Sequence, residues 1–233
     1  MNIQHFASYD AMSAAAADLV MTDIRQRPDL LLCAATGNSP TGLYRQLGQE
    51  YTTAPEHFSQ LRIFKLDEWA GLPADAPGSC EHYLKEHLLR PLAISNDRYF
   101  GFDNTAQDLD RECERTQDLL GRYGPIDICI LGLGTNGHLG LNEPNEVLQA
   151  HCHVARLHTT TLQHGMVADL HEKPTQGLTI GMEDILASRH IIMLVTGAGK
   201  ETAKKMLLSG EITNRFPATY LWKHEWVDCL VED

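Results

Sequence analysis

No stretch of this sequence reaches the ~18 consecutive apolar residues that a membrane-spanning helix requires, so no membrane partner is expected. The N-terminus, MNIQHFASYD, has neither a basic region nor an apolar core and does not read as a secretory signal. Cys-x-x-Cys pairs are missing. Cys33, Cys80, Cys113, Cys129, Cys152 and Cys229 are scattered, which leaves zinc and thioredoxin-type chemistry without support. Reduced thiols in a cytoplasmic protein are the expectation, with Cys33 and Cys129 as core residues. Positive charge is scarce as well: 19 Lys and Arg stand against 31 Asp and Glu, a net charge of -12. A nucleic-acid surface needs a basic face, so nucleic acid is not an expected partner. The acidic excess itself reads as a solubility feature. A small anionic ligand stays open, because a site can be locally positive inside an acidic protein. Internal repeats, low-complexity runs and dividing linkers are also lacking, so the 233 residues read as one domain.

What is present is an alternation of helical and strand-like segments. Residues 10–26 are alanine-rich with an apolar stripe and predict a helix. Helices are also predicted over 41–49, 79–89, 105–122 and 199–208. Short apolar runs predict strands at 30–36, 61–67, 126–134, 177–181, 190–196, 218–222 and 227–231. This order implies an α/β protein: a three-layer α/β/α sandwich, Rossmann-like, around a mostly parallel sheet. In such sheets ligands bind beyond the carboxyl ends of the strands.

Four strand ends carry residues suited to chemistry. Thr36-Gly37-Asn38-Ser39, followed by Pro40, lies between a strand and a helix. Free backbone N–H groups there can cradle an anion, although a plain capped turn would look the same. Leu66-Asp67-Glu68-Trp69 ends a strand in two acids. Asp67 suits a proton acceptor or, more simply, a turn cap, and Glu68 suits a brace for the loop. LGLGTNGHLGLNEP, residues 131–144, holds a G-x-G-x-x-G spacing followed by His138 and Glu143. A His beside a carboxylate is the usual proton-transfer pair near neutral pH. The dinucleotide reading of those glycines lacks its context. Pro144 follows Gly137 by seven residues, and ARLHTT at 155–160 has no acid where the ribose would need one. Finally, Gly197-Ala198-Gly199-Lys200 places a Lys where it can reach an anion or face solvent.

Together ATGNSPTGLY, KLDEWAGLP, LGLGTNGHLGLNEP and LVTGAGK, in this order and spacing, resemble the glucosamine-6-phosphate deaminase family over nearly the whole chain. LDEW and GTNGHLGLNEP are most similar to its galactosamine-6-phosphate deaminase/isomerase branch. The resemblance implies a small-molecule phosphosugar substrate and no cofactor or metal. Thr36, Gly37, Asn38 and Ser39 would hold the 6-phosphate, with Gly137 in the turn and Lys200 assisting. Asp67 matches the general base between C2 and C1, His138 the ring-opening residue and Glu143 its carboxylate partner. Asn136 stands where the glucosamine enzymes commonly have Asp, and is expected to orient His138 or to bind a sugar hydroxyl. A lid is expected near 151–174. Its HTTTLQHGM stretch lacks the family's arginine and leaves His164 as the available cation. Basic residues for allosteric activation are not evident around 151–156.

The implied reaction converts galactosamine 6-phosphate, or glucosamine 6-phosphate, and water to tagatose or fructose 6-phosphate and ammonia. A 6-phosphogluconolactonase is the rival within the fold, opposed by Asn142-Glu143-Pro144 and by Trp69. A non-catalytic sugar-phosphate-binding regulator is the rival from another class. Assembly into a homo-oligomer is compatible with the sequence.

Overall fold

The computed structural model describes residues 1–158, 161–163, 166, 170 and 173–233. The elements, in chain order, are β1 (Asn2–Phe6), α1 (Tyr9–Gln26), β2 (Leu31–Ala34), α2 (Asn38–Thr53), β3 (Arg62–Lys65), β4 (Asp67–Trp69), α3 (Cys80–Leu84) and β5 (Tyr99–Phe100). They continue with α4 (Leu109–Tyr123), β6 (Ile128–Gly132), β7 (His153–Arg156), β8 (Gln176–Thr179), α5 (Met182–Leu186), β9 (His190–Val195), α6 (Glu201–Leu208) and β10 (Val227–Glu232).

Seven strands form a parallel sheet in the order β1-β10-β9-β6-β2-β3-β5. The fully buried strands are the continuous apolar runs, as expected for a sheet covered on both faces. Alternate residues serve opposite faces. Leu31, Cys33, Leu131 and Met193 pack into one core with α4, α5 and α6, while Leu32, Ala34, Ile130 and Ile192 pack into the other with α1 and α2. The chain runs from β2 to β3 on one side and returns to β6 on the other. The crevice above this β2/β6 reversal is where an open α/β sheet places its ligand.

Three strands, β4-β8-β7, form a separate antiparallel sheet. The expected strand over 61–67 is therefore two strands. Leu66 divides them: its N–H donates to Ala34 O at 3.2 Å in the large sheet, and its carbonyl accepts from Ile180 N at 3.1 Å beside the small one.

The expected strand over 218–222 is instead a 3-10 helix, Pro217–Lys223. Pro217 fits a first helical turn, and Thr219 Oγ1 donates to Phe216 O at 2.7 Å. A five-residue apolar run does not distinguish a buried turn of helix from a strand. β1, β5 and β7 have no counterpart among the expected strands. β1 is an edge strand paired only with β10, and its Asn, Gln and His break the apolar pattern. The helix expected over 79–89 is α3 continued by a wider π-type turn, Lys85–Leu89. Among the described residues no helix is long and apolar enough to cross a membrane.

Leu194 is fully buried in β9, and Leu194→Ala is expected to cost about 2–5 kcal/mol in urea unfolding without changing the fold.

Candidate functional site

The turn after β2 leads into α2. Gly37 caps this helix with no side-chain hydrogen bond, so the N–H groups of Gly37, Asn38 and Ser39 point out of the helix without an intrahelical partner. Three buried or half-buried hydroxyls hold the turn from behind. Tyr83 Oη donates to Gly37 O at 2.8 Å, Tyr9 Oη donates to Asn38 O at 2.6 Å, and Tyr44 Oη donates to Ala35 O at 2.7 Å. Carbonyls are thus directed inward and amides outward, an arrangement suited to an anion. Thr36 Oγ1 donates to Cys80 Sγ at 3.3 Å, which joins this turn to α3. Ser39 lies against the end of β6, where a β-carbon on Gly132 would stand 3.4 Å from its Oγ.

Asp67 opens β4 and is buried, and its Oδ1 has no hydrogen-bond partner among the described residues. Burial, then the neighbouring Glu68 carboxylate, push its pKa up to about 7, and Lys65 pulls in the opposite direction. A carboxylate with this proton affinity suits a base that takes up and returns a proton near neutral pH. Glu68 is fully buried and saturated: it accepts from Trp69 N at 2.8 Å, Cys80 N at 2.9 Å, Glu81 N at 2.8 Å and Lys65 Nζ at 3.0 Å. It braces the start of α3, as the sequence reading expected of it.

The glycine turn after β6 is shaped by close approach. A β-carbon on Gly134 would stand 2.5 Å from the His138 ring, and one on Gly137, whose φ is +83°, would stand 2.4 Å from the Phe216 ring. The N–H of Gly137 closes the turn onto Gly134 O at 3.0 Å. Beyond it, Asn136, His138 and Glu143 come together. Asn136 Nδ2 donates to Glu143 Oε2 at 2.8 Å, and Asn136 Oδ1 accepts from His138 N at 3.2 Å. His138 Nδ1 stands 3.6 Å from Glu143 Oε2. The other carboxylate oxygen accepts from Thr161 Oγ1 and, at 3.3 Å, from His158 N. Burial alone would raise the Glu143 pKa, but His138, Thr161 and Asn136 overcome it and hold it down at about 2.

Asn142 bolts this loop to the small sheet, donating to Leu139 O at 3.0 Å and to Ile180 O at 2.8 Å. Leu141 N donates to Thr179 Oγ1 at 3.2 Å, and Thr179 pairs with Asp67 across β4 and β8. A β-carbon on Gly140 would stand 3.6 Å from Asp67 Oδ2. Asp67 on β4 and the His138–Glu143 pair on the loop after β6 are therefore connected. Lys200 caps α6 at the same sheet edge, two strands from the Thr36–Ser39 turn. Burial, then the Lys204 ammonium, hold its pKa below the usual lysine value, and no carboxylate among the described residues offsets this. His164 lies outside the described residues, as does part of the expected lid.

Thr161, Asn142 and Lys65 were not singled out as site residues by the sequence. Thr161 lies in the very stretch read for its missing arginine.

Glu143 links folding to pH. Its folded pKa lies below its unfolded value, so its stabilisation is present above pH ~4.5 and is lost as pH falls towards 2. In urea unfolding, the stability difference between the protein and Glu143→Gln is expected to shrink as pH falls through that window.

The family described as glucosamine-6-phosphate isomerases/6-phosphogluconolactonase matches residues 6–229. The chain is 39% identical to "Putative deaminase AgaI" of Escherichia coli (strain K12), over 98% of this chain and 91% of that protein. It is 34% identical to glucosamine-6-phosphate deaminase 1 of Bacillus subtilis (strain 168), over 100% of this chain and 97% of that protein. Among solved structures, a monomeric glucosamine-6-phosphate deaminase superposes with a TM-score of 0.93 at 34% identity, covering 100% of this chain and 97% of the other. The 6-phosphogluconolactonase of Trypanosoma brucei superposes with a TM-score of 0.77 at 23% identity, covering 100% of this chain and 95% of the other, a likeness of fold alone. With the match running almost end to end, the chain belongs to the glucosamine-6-phosphate isomerase/6-phosphogluconolactonase family.

Proposed function

We propose that this protein is an amino-sugar 6-phosphate deaminase/isomerase. It takes galactosamine 6-phosphate in preference to glucosamine 6-phosphate and releases ammonia and the ketose 6-phosphate. The observation that carries the reading is Asp67: a buried carboxylate with a pKa of about 7 on the loop joined to the His138–Glu143 pair. A lactonase needs no group that carries a proton from one carbon to the next. The preference for the galactosamine substrate rests on LDEW and GTNGHLGLNEP.

The N–H groups of the Gly37–Ser39 turn and the Lys200 ammonium hold the 6-phosphate. His138 protonates the ring oxygen as the C1–O bond opens, and the anomeric hydroxyl gives up its proton in exchange. Glu143 and Asn136 keep the imidazole aligned, the carboxylate favouring its charged form and the amide fixing both partners. Asp67 then removes the C2 proton while the substrate's ammonium gives up a proton and the C1 oxygen gains one, leaving an enolamine, and Asp67 returns its proton to C1. The resulting C2 imine takes up water and expels ammonia. No step calls for a cofactor or metal.

All the named groups belong to one copy of the chain, so the chemistry stands whether or not copies associate in the cytoplasm. The 233 residues act as one catalytic domain.

An ammonia-release assay with the two amino-sugar phosphates tests this directly. Release is expected from both, faster from galactosamine 6-phosphate. Silence with both, or rapid hydrolysis of 6-phosphogluconolactone instead, ends the proposal. Because the base acts ionised, kcat/KM is expected to rise with pH through about 7. Asp67→Asn is expected to lower kcat by about 10²–10⁴-fold while the phosphosugar still binds.

A further inference from the structure

Behind Asp67 lies a buried group of charges that takes no part in the steps above. Lys65, the last residue of β3, is 1% exposed, and its ammonium lies 3.0 Å from Glu68 and 2.9 Å from Glu81. Glu68 is 0% exposed, whereas Glu81 is 14% exposed and also meets Lys85 at 3.1 Å and Tyr99 Oη at 2.7 Å. Burying an ion pair is a poor way to stabilise a fold, since both charges must be stripped of water. This one flanks the buried base on both sides in sequence, with Lys65 two residues before it and Glu68 one after.

We infer that Lys65 and Glu68 are positioning residues, a fixed charge pair that holds Asp67 in place and sets the pH range in which it accepts a proton. The inference rests on the functional reading above and gives it a control element. Glu68 anchors the backbone, because its carboxylate joins the N–H of Trp69 in β4 to those of Cys80 and Glu81 in α3. The two charges act on Asp67 in opposite directions, the Glu68 carboxylate favouring its protonated form and the Lys65 ammonium its ionised form. Burial, opposed and outweighed by Glu68 and Glu81, leaves the Lys65 pKa above its usual value, so its positive charge is permanent in the working range.

Three other titratable groups that feel Asp67 carry no charge near neutral pH. Burial first, then neighbouring groups including Asp67 itself, push up the thiols of Cys33 on β2 and Cys80 on α3 and the phenol of Tyr44 on α2. From the glycine turn it is Gly140, without a side chain, that comes near Asp67. Glu68 and Lys65 are the neighbouring charges that shift Asp67, in opposite directions.

The pair is tested by pH profiles of kcat/KM together with a carboxyl NMR titration of Asp67 in the full protein without substrate. Glu68→Gln removes the negative charge and is expected to move the acidic limb and the Asp67 titration down by roughly one pH unit. Lys65→Met removes the positive charge and is expected to move both up by a similar amount. Glu81→Gln, which acts on the outer side of Lys65, is expected to leave both in place. A purely structural role would lower the rate at every pH without moving the limb. Glu68→Gln that folds and leaves the titration unmoved overturns the inference, as does a Glu81→Gln shift equal to that of Glu68→Gln. Should Glu68→Gln fail to fold, Lys65→Met decides: with the positive charge gone the limb is expected to move up, and an unmoved limb overturns the inference. If the unmodified protein releases no ammonia, the functional reading fails, while the carboxyl titration still tests the charge pair.

Discussion

The site depends on a single backbone event at Leu66. Its N–H belongs to the parallel sheet and its carbonyl to the antiparallel one, so the chain leaves the first sheet and enters the second within one residue. Asp67 follows at once and is carried beneath the loop after β6 rather than out to solvent. Burial there raises its proton affinity, and the geometry needs no strained backbone to achieve it. Glu68 secures the departure, since one carboxylate satisfies the backbone on both sides of the loop between β4 and α3.

The same small sheet fixes the second half of the site. Asn142 and Thr179 tie the His138 loop to β8, the strand that pairs with β4, so a shift of one loop is felt by the other. Within that loop Asn136 has a definite task. It donates to a carboxylate and accepts from a backbone N–H at once. An Asp in the same place would set two carboxylates against each other and lose the donated bond. Asn136 is a neutral bridge between Glu143 and the His138 backbone, and adds to the larger effect of His138 and Thr161 in holding the Glu143 pKa down.

Much of this was legible in the sequence, for a physical reason. Strands buried on both faces must be continuous apolar runs, and β2, β6, β9 and β10 were found that way. Half-exposed edge strands need no such run, so β1 and β7 left no trace in it. Pro217 turned a convincing strand pattern over 218–222 into a short helix. The glycines of 132–137 suggested a dinucleotide turn by spacing alone; the structure shows two of them making room for the rings of His138 and Phe216.

The sequence by itself determined the sheet-and-helix alternation and the chemical types at the strand ends: amides and small side chains at 36–39, acids at 67 and 143, a His at 138 and a Lys at 200. These are local properties, written in runs and motifs. Only the tertiary structure decided that Lys65 and Glu68 form a buried pair beside Asp67, that Thr161 reaches Glu143, and that burial pushes the Asp67 pKa up to about 7. Each of those depends on which distant segments exclude water from one another, and residues such as Thr161 and Glu143, 18 positions apart, carry no mark of that meeting in the order of the chain.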